Sequence, residues 1–357
     1  MPSPIKVLFA PDYRGGNSYQ QQLASALHDL DVLVQWPQGY RRMLPLTRMV
    51  RKGNYDILHL HWPEAYYTGA TPPSTLCRML RFPFDLARAS RHARLVTTAH
   101  NLWPHDRPRS WLLRRAQRSA YRRSRTVIAH SRGAAVALHE QFGIQPSRVQ
   151  VIPHGNLGET MPGAILKDRA RAGLKAPLDP ARPWVLMAGR VEPYKGIDRA
   201  LQFHRECGAA FNLIVAGPAS PEYQKQLQAH EAATSENVYF QFGWLSDQEM
   251  QHWICASDCV LAWHRASSGS GILNLVRGLG VPIVLPSRLD EIELNEPSPW
   301  VIRFDESAPP SRILAALTHS ASLPRAGAAE LHSWADSCSW NSVGRSHLTV
   351  YKSVGQS

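Results

Sequence analysis

The pattern that most constrains the fold is a series of short apolar runs, each followed by a longer stretch with helical periodicity. A run such as Trp184–Ala188 has no polar residue to turn toward water, so its strand must be covered on both faces. Sheets of this kind are parallel, because the helix that connects successive strands supplies the cover. The pattern therefore predicts an α/β fold. The predicted strands are Ile5–Phe9, Val32–Gln35, Ile57–His61, Leu95–Ala99, Thr126–Ala129, Val149–Ile152, Trp184–Ala188, Asn212–Ala216, Val238–Gln241, Cys259–Trp263 and Pro282–Leu285.

The apolar runs fall into two series, separated by a polar stretch with Pro and Gly at about residues 155–183. A chain of 357 residues is long enough for two domains. We therefore expect two Rossmann-like domains with parallel sheets facing each other across a cleft, over residues 1–160 and 175–335. Ligands bind at the carboxyl ends of the strands in such sheets, so the cleft is the expected site.

Composition argues against several classes of protein. Apolar residues make up 44% of the chain, and no apolar run approaches the roughly 20 residues of a membrane-spanning helix. The first residues, MPSPIKVLFAPDY, have the pattern of a strand rather than of a signal peptide. The five cysteines are odd in number and scattered, which suggests a reducing cytosol without structural disulfides.

The net charge of +12 is concentrated in the N-terminal half. Residues 1–150 contain 22 Lys and Arg against 8 Asp and Glu, whereas the remainder contains 18 against 20. Such asymmetry predicts a surface for an anionic partner: nucleic acid, an acidic membrane or a phosphorylated substrate. No RNP, zinc-finger or helix-turn-helix pattern occurs, so we expect no nucleic-acid partner.

Two basic amphipathic segments lie in this half, at residues 77–95 and 107–125. The second places Trp111 and two leucines beside arginines that include Arg114 and Arg115. Helices of this composition suit the surface of an anionic bilayer. The alternative is an arginine-rich solvated face whose apolar residues pack in the core. We expect a cytoplasmic protein that binds peripherally to the inner face of the cell membrane.

The segment MAGRVEPYKGIDRAL (187–201) places Arg190 and Lys195 between a strand end and the start of a helix. Two cations at a helix N-terminus can hold a diphosphate, because the guanidinium offers a fork of donors and the helix dipole adds to both charges. A basic surface loop is the alternative. Further along, LIVAGPA (213–219) predicts a buried strand that ends in a turn of small residues at Gly217.

The segment AWHRASSGSGILNLVRGLGVPIVLP (262–286) predicts a strand, a loop of small residues, a helix and a second strand. The loop allows a ligand close to the backbone, and the helix that begins near Gly271 points free N–H groups toward it. Neither the loop nor the helix contains a carboxylate. The order in which these motifs follow one another indicates a protein family more specifically than any single motif does.

Taken in order, the motifs resemble the donor-binding domain of GT-B glycosyltransferases, in particular the retaining, family-4-like enzymes of bacterial polysaccharide and glycolipid synthesis. VIPHGN (151–156) and AELHSWADSCSW (329–340) extend the resemblance to nearly the whole chain. It implies a GT-B fold with a C-terminal helix over 338–357 that crosses back to the first domain. It also implies that Arg190 and Lys195 bind the nucleotide diphosphate. The expected donor-binding set is Gly16, Arg190, Lys195, Gly217, Ser268, Gly269, Ser270, Gly271, Ile272 and Asn274.

The chain departs from that group in the loop of small residues. The group carries one acid at the start of the loop, which contacts the donor sugar, and a second about two helical turns later, which holds the ribose. Here those positions fall at Ser267 or Ser268 and at Leu275 or Val276. Asn274 is the nearest polar residue that could reach a ribose. A phosphate site at a helix N-terminus needs no acidic residue, so we still expect this domain to bind a nucleotide.

Two strand ends in the first half carry candidate catalytic residues. DILHLHWPEAYY (56–67) places His59 and His61 on a strand and Glu64 just beyond it, and TTAHNLWPHD (97–106) places His100 at the end of another. His59 and His61 could ligate a metal, but no third ligand follows in range, so we expect buried or cleft histidines. By the resemblance, His100 matches a histidine near the donor sugar.

HLHWPE, with the glycine loop after the first strand and the acid-free serine loop, also resembles the inverting β-mannosyltransferases of the xanthan pathway. Inverting transfer needs one general base that accepts the proton of the acceptor hydroxyl. Cations and dipoles can stabilise the nucleoside diphosphate leaving group, so we expect no metal. Candidate bases are Glu64, Asp12, His100 and Asp106, and we favour Glu64.

The sequence thus predicts a hexosyltransferase of exopolysaccharide or glycolipid synthesis, with GDP-mannose as the favoured donor. Its expected partners are a nucleotide-diphosphate sugar, a lipid-linked oligosaccharide or glycan acceptor, and an anionic membrane surface, without a cofactor. One alternative is a retaining GT-B enzyme that uses UDP-glucose or a similar donor. Another is a catalytically inactive GT-B module that binds a nucleotide sugar or a glycan.

Overall fold

The computed structural model describes residues 3–15, 18–39, 43–103, 110–161, 165–265, 270–289 and 298–356. The chain divides into two compact units. Unit 1 consists of Met1–Gly155 and Ser337–Ser357, and unit 2 of Asn156–Asp336. The sequence placed the corresponding limits at residues 160 and 338. The roles assigned to the two domains, acceptor or membrane for the first and donor for the second, stay predictions.

Unit 1 is built around a six-stranded parallel sheet with the order β2-β1-β3-β4-β5-β6. Its strands are β1 (Ile5–Ala10), β2 (Val32–Gln35), β3 (Ile57–Leu60), β4 (Arg94–Thr98), β5 (Thr126–Ala129) and β6 (Val149–Val151). Its helices before the linker are α1 (Ser18–His28), α2 (Pro45–Gly53), α3 (Glu64–Tyr67), α4 (Pro72–Ala89), α5 (Trp111–Arg123) and α6 (Arg132–Phe142).

Unit 2 has a second six-stranded parallel sheet, with the order β12-β11-β10-β7-β8-β9. Its strands are β7 (Trp184–Ala188), β8 (Asn212–Gly217), β9 (Val238–Phe242), β10 (Cys259–Leu261), β11 (Ile283–Pro286) and β12 (Val301–Phe304). Its helices are α7 (Lys167–Gly173), α8 (Ile197–Glu206), α9 (Pro221–Gln228), α10 (Asp247–Ala256), α11 (Gly271–Gly278) and α12 (Pro310–Ser322).

Two C-terminal helices complete the fold. Helix α13 (Ala328–Cys338) leads back into unit 1, and α14 (Trp340–Gln356) lies within it and packs on α1. A Cβ on Gly344 of α14 would lie 3.1 Å from Cβ of Ala26, so the glycine lets the two helices approach closely.

The two parallel sheets confirm the predicted α/β fold class. Each predicted strand forms within about two residues of its expected ends, which is the usual uncertainty of such limits. Strand β12 was not predicted. Its four residues, VIRF, include the polar Arg303 and are buried only at the two ends, so the segment lacks the continuous apolar run that marked the others.

A carboxylate from α4 fixes helix α2 in unit 1. The residue before α2, Leu44, has a left-handed φ of 49° and offers no side-chain cap. The buried Asp85 accepts instead from the backbone N–H groups of Leu46 and Thr47, at 3.0 Å each, and from the Thr47 hydroxyl at 2.7 Å. A carboxylate at a helix N-terminus satisfies free N–H groups and complements the dipole. The first turn of α2 is thereby anchored, while Arg51 and Lys52 in its last turn are exposed.

Candidate functional site

The carboxyl ends of β3, β4 and β5 lie side by side and bring three histidines together. Pairing of Leu60 with Thr97 and of Thr98 with Ile128 sets their register. Just beyond the strands, His61 Nδ1 lies 3.1 Å from His100 Nε2, and His100 Nδ1 lies 3.2 Å from Nε2 of a third histidine, His130. We call these three residues the histidine chain.

The histidine chain has one consistent set of neutral tautomers. His130 Nδ1 lies 3.0 Å from the carbonyl oxygen of Ile152, which can only accept, so this nitrogen carries the proton. Each preceding Nδ1 then donates to the Nε2 of the next ring. This series of hydrogen bonds begins at His61, whose Nε2 is a buried acceptor without a hydrogen-bond partner among the residues that the structure describes.

Burial keeps the histidine chain neutral. It lowers the pKa of His130 to about 3 and lowers the pKa values of His61 and His100 well below the ordinary value, with the neighbouring imidazoles adding to the effect. His100, expected as a catalytic residue, is 7% exposed and has both ring nitrogens in the chain. Its geometry therefore suits a positioning role better than that of a free base.

Aromatic rings surround the histidine chain. The Trp62 ring stacks on His100, with centroids 3.9 Å apart and an angle of 12° between the planes. The φ of Trp62 is +23°, an unusual value for a bulky residue, and such backbone conformations concentrate at functional sites. Tyr19 of α1 approaches His100 edge-on at 4.8 Å. On β3, His59 is fully buried, in line with the sequence prediction, and bonds to Tyr351 of α14 at 2.7 Å.

Glu64, the favoured base, begins α3 immediately after the Trp62–Pro63 turn. Its side chain is partly exposed, and Oε1 accepts from Asn101 Nδ2 at 3.4 Å. The Asn101 carbonyl in turn accepts from the Tyr121 hydroxyl at 3.1 Å, which holds the loop after β4 in place. Glu64 is therefore a carboxylate at a strand end, positioned by the adjacent loop and accessible to solvent.

Asp12 has a different environment. Its carboxylate accepts from Arg14 Nε at 3.0 Å and from Nη2 at 2.9 Å, in a bidentate pair. These hydrogen bonds lower the pKa of Asp12, and a lower pKa makes a carboxylate a weaker base. The structure thus separates the two candidates, with Asp12 paired to a cation and Glu64 beside an amide.

In unit 2, Lys195 and Arg190 differ in exposure. Lys195 is 6% exposed, and a Cβ built on Gly189, at the end of β7, would lie 3.7 Å from its Nζ and 3.7 Å from Cβ of Ile272. The ammonium group, the strand end and the first turn of α11 are therefore close together. Arg190 extends into solvent, with its side chain 72% exposed and Nη1 3.5 Å from Glu192 Oε1.

Backbone packing accounts for Gly217. Its φ is +140°, and a Cβ there would lie only 2.0 Å from the carbonyl oxygen of Gly189. Gly196, after Lys195, has φ +71° and would place a Cβ 2.2 Å from the carbonyl oxygen of Trp263. Both glycines are required by the fold of this region, and a role of Gly217 toward a donor stays a prediction.

Helix α11 begins at Gly271, and its geometry leaves the N–H groups of Gly271 and Ile272 without a partner inside the helix. Ser270 is 9% exposed, and its carbonyl oxygen accepts from Asn274 Nδ2 at 3.1 Å. One N–H of the Asn274 amide is thus bonded to the residue before α11, while the Asn274 side chain also has a second N–H and an oxygen that can accept. The expected residues Gly16, Ser267, Ser268, Gly269 and Asp106 lie outside the described residues.

The basic helix α5 has two kinds of arginine. Arg114 Nε donates to the Gln141 carbonyl at 3.1 Å, and Arg118 Nε donates to that of Phe142 at 2.8 Å, so both satisfy carbonyl groups at the end of α6. Arg115 is exposed, and Trp111 is 68% exposed. The expected membrane set Trp111, Arg114 and Arg115 therefore includes one residue with a structural role. None of the described helices is long and apolar enough to cross a membrane.

Sequence reasoning missed His130, Tyr19 and Trp62. The signal for His130 was present, because an Ala-His pair follows β4 at residues 99–100 and follows β5 at residues 129–130. Tyr19 lies in a helix, and nothing local distinguishes it from an ordinary core residue. Among the described residues no group of three His, Cys, Asp or Glu side chains is arranged to hold a metal ion.

Comparison with known proteins places this chain among glycosyltransferases. Residues 7–155 match the sequence profile of Glycosyltransferase Family 4. The chain is 24% identical to the GDP-mannose:glycolipid 4-beta-D-mannosyltransferase of Xanthomonas campestris pv. campestris, over 97% of this chain and 92% of that protein. It is 26% identical to the phosphatidyl-myo-inositol mannosyltransferase of Propionibacterium freudenreichii subsp. shermanii, over 89% of this chain and 75% of that one.

Solved structures agree on the fold. HepE of Anabaena in complex with UDP and glucose is similar with a TM-score of 0.69 at 16% identity, over 98% of this chain and 100% of that one. Sucrose-phosphate synthase from Thermosynechococcus elongatus has a TM-score of 0.69 at 13% identity, over 98% and 99%. The protein is a glycosyltransferase with the GT-B fold. Within that class its first unit is similar to Glycosyltransferase Family 4, which is the resemblance that its motifs predicted.

Proposed function

We propose that this enzyme transfers mannose from GDP-mannose to a lipid-linked saccharide, with inversion at the anomeric carbon and without a metal ion. The observation that carries the proposal is similarity over nearly the full length to a GDP-mannose:glycolipid 4-beta-D-mannosyltransferase. The sugar of GDP-mannose is α-linked, so a β-linked product requires inversion. The absence of acidic residues from helix α11 and from the loop before it supports the same choice.

In this proposal unit 2 binds the donor. The Lys195 ammonium group and the N-terminus of α11, both next to Gly189, hold the diphosphate and stabilise the charge that develops as GDP leaves. Arg190 is exposed and turns from Glu192 to the phosphates when the donor binds. Two cations and a helix dipole replace the metal ion that other nucleotide-sugar enzymes use.

Unit 1 supplies the base. The Glu64 carboxylate accepts the proton of the acceptor hydroxyl while that oxygen attacks C1 of the mannose, and the bond from C1 to the phosphate oxygen breaks on the opposite face. Asn101 orients the carboxylate. The neutral histidine chain and its aromatic neighbours fix the loops after β3 and β4, so that Glu64 keeps its place at the strand end.

The surface of α4 and α5 carries the membrane part of the proposal. Leu76, Leu80 and Phe84 form a stripe at i, i+4 and i+8 of α4 and are 46%, 62% and 60% exposed. Exposed arginines, among them Arg88 on the same helix and Arg115 on α5, accompany the stripe. An apolar stripe beside cations suits insertion at the interface of an anionic bilayer.

Product analysis tests the proposed function. Incubation with GDP-mannose and a lipid-linked saccharide in the presence of a chelator is expected to release GDP and to give a β-mannoside, seen in the anomeric coupling constants by NMR. A product with an α linkage would establish retention. Faster transfer from UDP-glucose than from GDP-mannose would mean that UDP-glucose is the donor. Tight binding of a nucleotide sugar without transfer to any acceptor would indicate an inactive module.

A further inference from the structure

A cavity of about 990 Å³ opens in unit 1 between helix α2 and the edge strand β2. Leu8 of β1 and Val34 of β2 line its apolar part, and Trp36 and Tyr55 add aromatic walls. Of the described residues considered as base or as donor ligand, only Asp12 contributes to its lining. The cavity is therefore a second feature of unit 1, beside the strand end that carries Glu64.

The charged residues in the lining are mainly cations. Among the described residues of the lining, the cations are Arg14, Arg48, Arg51 and Lys52, and the carboxylate is Asp12. Arg14 already neutralises Asp12 through the bidentate pair. Among the described residues no carboxylate forms an ion pair with Arg48, Arg51 or Lys52. Three positive charges thus border the cavity without a counter-charge from the part of the protein that the structure describes.

Helix α2 presents these three charges on one face. Arg48, Arg51 and Lys52 are at i, i+3 and i+4, where side chains are neighbours and like charges repel. The negative end of the helix dipole offsets part of this repulsion. Asp85 anchors the other end of α2, so the cations keep their position relative to the sheet. An anionic ligand would remove the remaining repulsion.

The aromatic walls are held in place. Trp36 packs edge-on against Phe9, with ring centroids 5.4 Å apart, and the Arg14 guanidinium lies over the Trp36 ring, 4.3 Å from its centroid. The Tyr55 hydroxyl donates to Gln35 Oε1 at 3.1 Å. A Cβ on Gly53 would lie 2.2 Å from the Tyr55 ring, so the glycine makes room for it. Fixed flat walls with polar edges suit the apolar face and the hydroxyl groups of a sugar ring.

We propose that this cavity binds the phosphorylated end of the acceptor, a sugar joined to a phosphate or diphosphate. The phosphate oxygens accept charge-assisted hydrogen bonds from Arg48, Arg51 and Lys52, and the sugar packs against Trp36. A cavity of about 990 Å³ can hold a small saccharide together with a diphosphate. The inference deepens the proposed function, on which it rests, because a saccharide linked to a lipid through a diphosphate supplies such a group.

Calorimetric titration with α-D-glucose 1-phosphate, inorganic pyrophosphate and glucose tests the cavity, in the presence of saturating GDP so that the proposed diphosphate site of unit 2 is already occupied. The two phosphorylated probes are expected to bind, more weakly as salt increases, and glucose to bind much more weakly. The double variant R51Q/K52Q is expected to weaken both phosphorylated probes at least about tenfold, because each lost charge removes a charge-assisted hydrogen bond. R122Q/R123Q on α5, with the same change in net charge, is the matched control and should bind normally.

Three outcomes would overturn the proposal: no binding of either phosphorylated probe, equal weakening in the control, or unchanged binding by R51Q/K52Q. All four substituted residues are exposed, and circular dichroism of each variant checks that it folds. If pyrophosphate binds but glucose 1-phosphate does not, the site holds free phosphate and the acceptor assignment fails.

A second measurement separates this inference from the proposed function. GDP-mannose binding is expected to be equal in the wild type and in R51Q/K52Q, whereas the KM for a lipid-diphosphate acceptor rises at least about tenfold in the variant. If no nucleotide sugar binds and no transfer occurs, the proposed function fails. The titrations with phosphorylated probes still decide whether the cavity is an anion site.

Discussion

At the scale of single residues, the structure gives two of the candidate carboxylates different surroundings. Asp12 and Glu64 both follow strands of unit 1, but Arg14 forms a bidentate ion pair with Asp12, whereas Glu64 accepts a hydrogen bond from the Asn101 amide at 3.4 Å. A proton acceptor needs a carboxylate whose charge is not already neutralised. The ion pair therefore makes Asp12 the weaker candidate, and Glu64 as the base stays a prediction.

Replacement of Glu64 by Gln is expected to reduce kcat by about 10²- to 10⁴-fold, because the amide cannot accept the proton of the acceptor hydroxyl. The affinity for GDP-mannose should stay within about twofold, since unit 2 supplies the donor contacts in the proposed function. Steady-state kinetics and a nucleotide titration measure the two effects. Glu140→Gln, which changes an exposed carboxylate of α6, is the control. Loss of donor affinity, or full activity, would remove Glu64 from the role of base.

Gly217 gives a prediction about stability. Replacement by Ala is expected to destabilise the protein by at least about 3 kcal/mol, because the added Cβ meets the Gly189 carbonyl oxygen and the backbone φ is positive. Thermal unfolding without ligand measures this effect. Gly355→Ala adds the same methyl group where nothing lies within 4 Å and should be neutral or stabilising. Unchanged ligand-free stability of the Gly217 variant would mean that the glycine serves only the donor.

At the scale of secondary-structure elements, α14 packs within unit 1 and contributes buried polar side chains to it. His347 of α14 is fully buried, and its Nδ1 lies 2.8 Å from the Val343 carbonyl. Its ring lies 5.8 Å from that of His59 on β3. The family resemblance predicted a C-terminal helix. The sequence could not show that this helix packs next to His59 of β3.

Unit 1 is expected to lose stability in mild acid. Burial lowers the pKa of His347 to about 4 from an ordinary 6.5, so below pH 6.5 the unfolded chain binds a proton that the folded chain excludes. The contribution is fully present above pH 6.5, decreases as the pH falls, and is lost at about pH 4, on the order of 3 kcal/mol for this residue. Urea unfolding at pH 7.5, 5.5 and 4.5 measures the slope. His347→Gln should reduce the slope by the share of one histidine, while the histidine chain keeps the remainder, and an unchanged slope would contradict the assignment.

At the scale of the whole molecule, the charge asymmetry of the sequence is distributed over distinct surfaces. In unit 1 some arginines satisfy helix carbonyls, as Arg114 and Arg118 do. Others line the cavity beside α2, and others accompany the apolar stripe of α4. Net charge alone therefore overstates the number of cations that are available to one partner.

The protein is expected to bind liposomes that contain anionic lipid and to dissociate as salt rises. The double variant L80S/F84S should weaken binding at least about tenfold, because it removes two exposed apolar side chains from the stripe of α4. Co-sedimentation measures the bound fraction. Leu166→Ser, at a leucine of unit 2 that is 79% exposed, is the control. Equal binding to neutral vesicles, or equal loss in the control, would rule out this surface.

The sequence by itself determined the two parallel sheets and the class of enzyme. Continuous apolar runs of strand length can be buried only in covered parallel sheets, and the order of motifs after them is local information. What it could not determine was pairing between distant residues. The histidine chain joins His61 to His130 through His100, and the α2 cavity joins Trp36 to Arg51 and Lys52.

Sequence and tertiary structure each account for part of the expected phosphate site at the acid-free loop of small residues and α11. The sequence of α11 already indicated a phosphate site, because a helix N-terminus needs only backbone N–H groups. Only the tertiary structure showed Lys195 beside Gly189 and Ile272, and only it showed that Asn274 bonds to Ser270. Side-chain partners depend on which strand ends become neighbours, and strand order is a property of the folded chain.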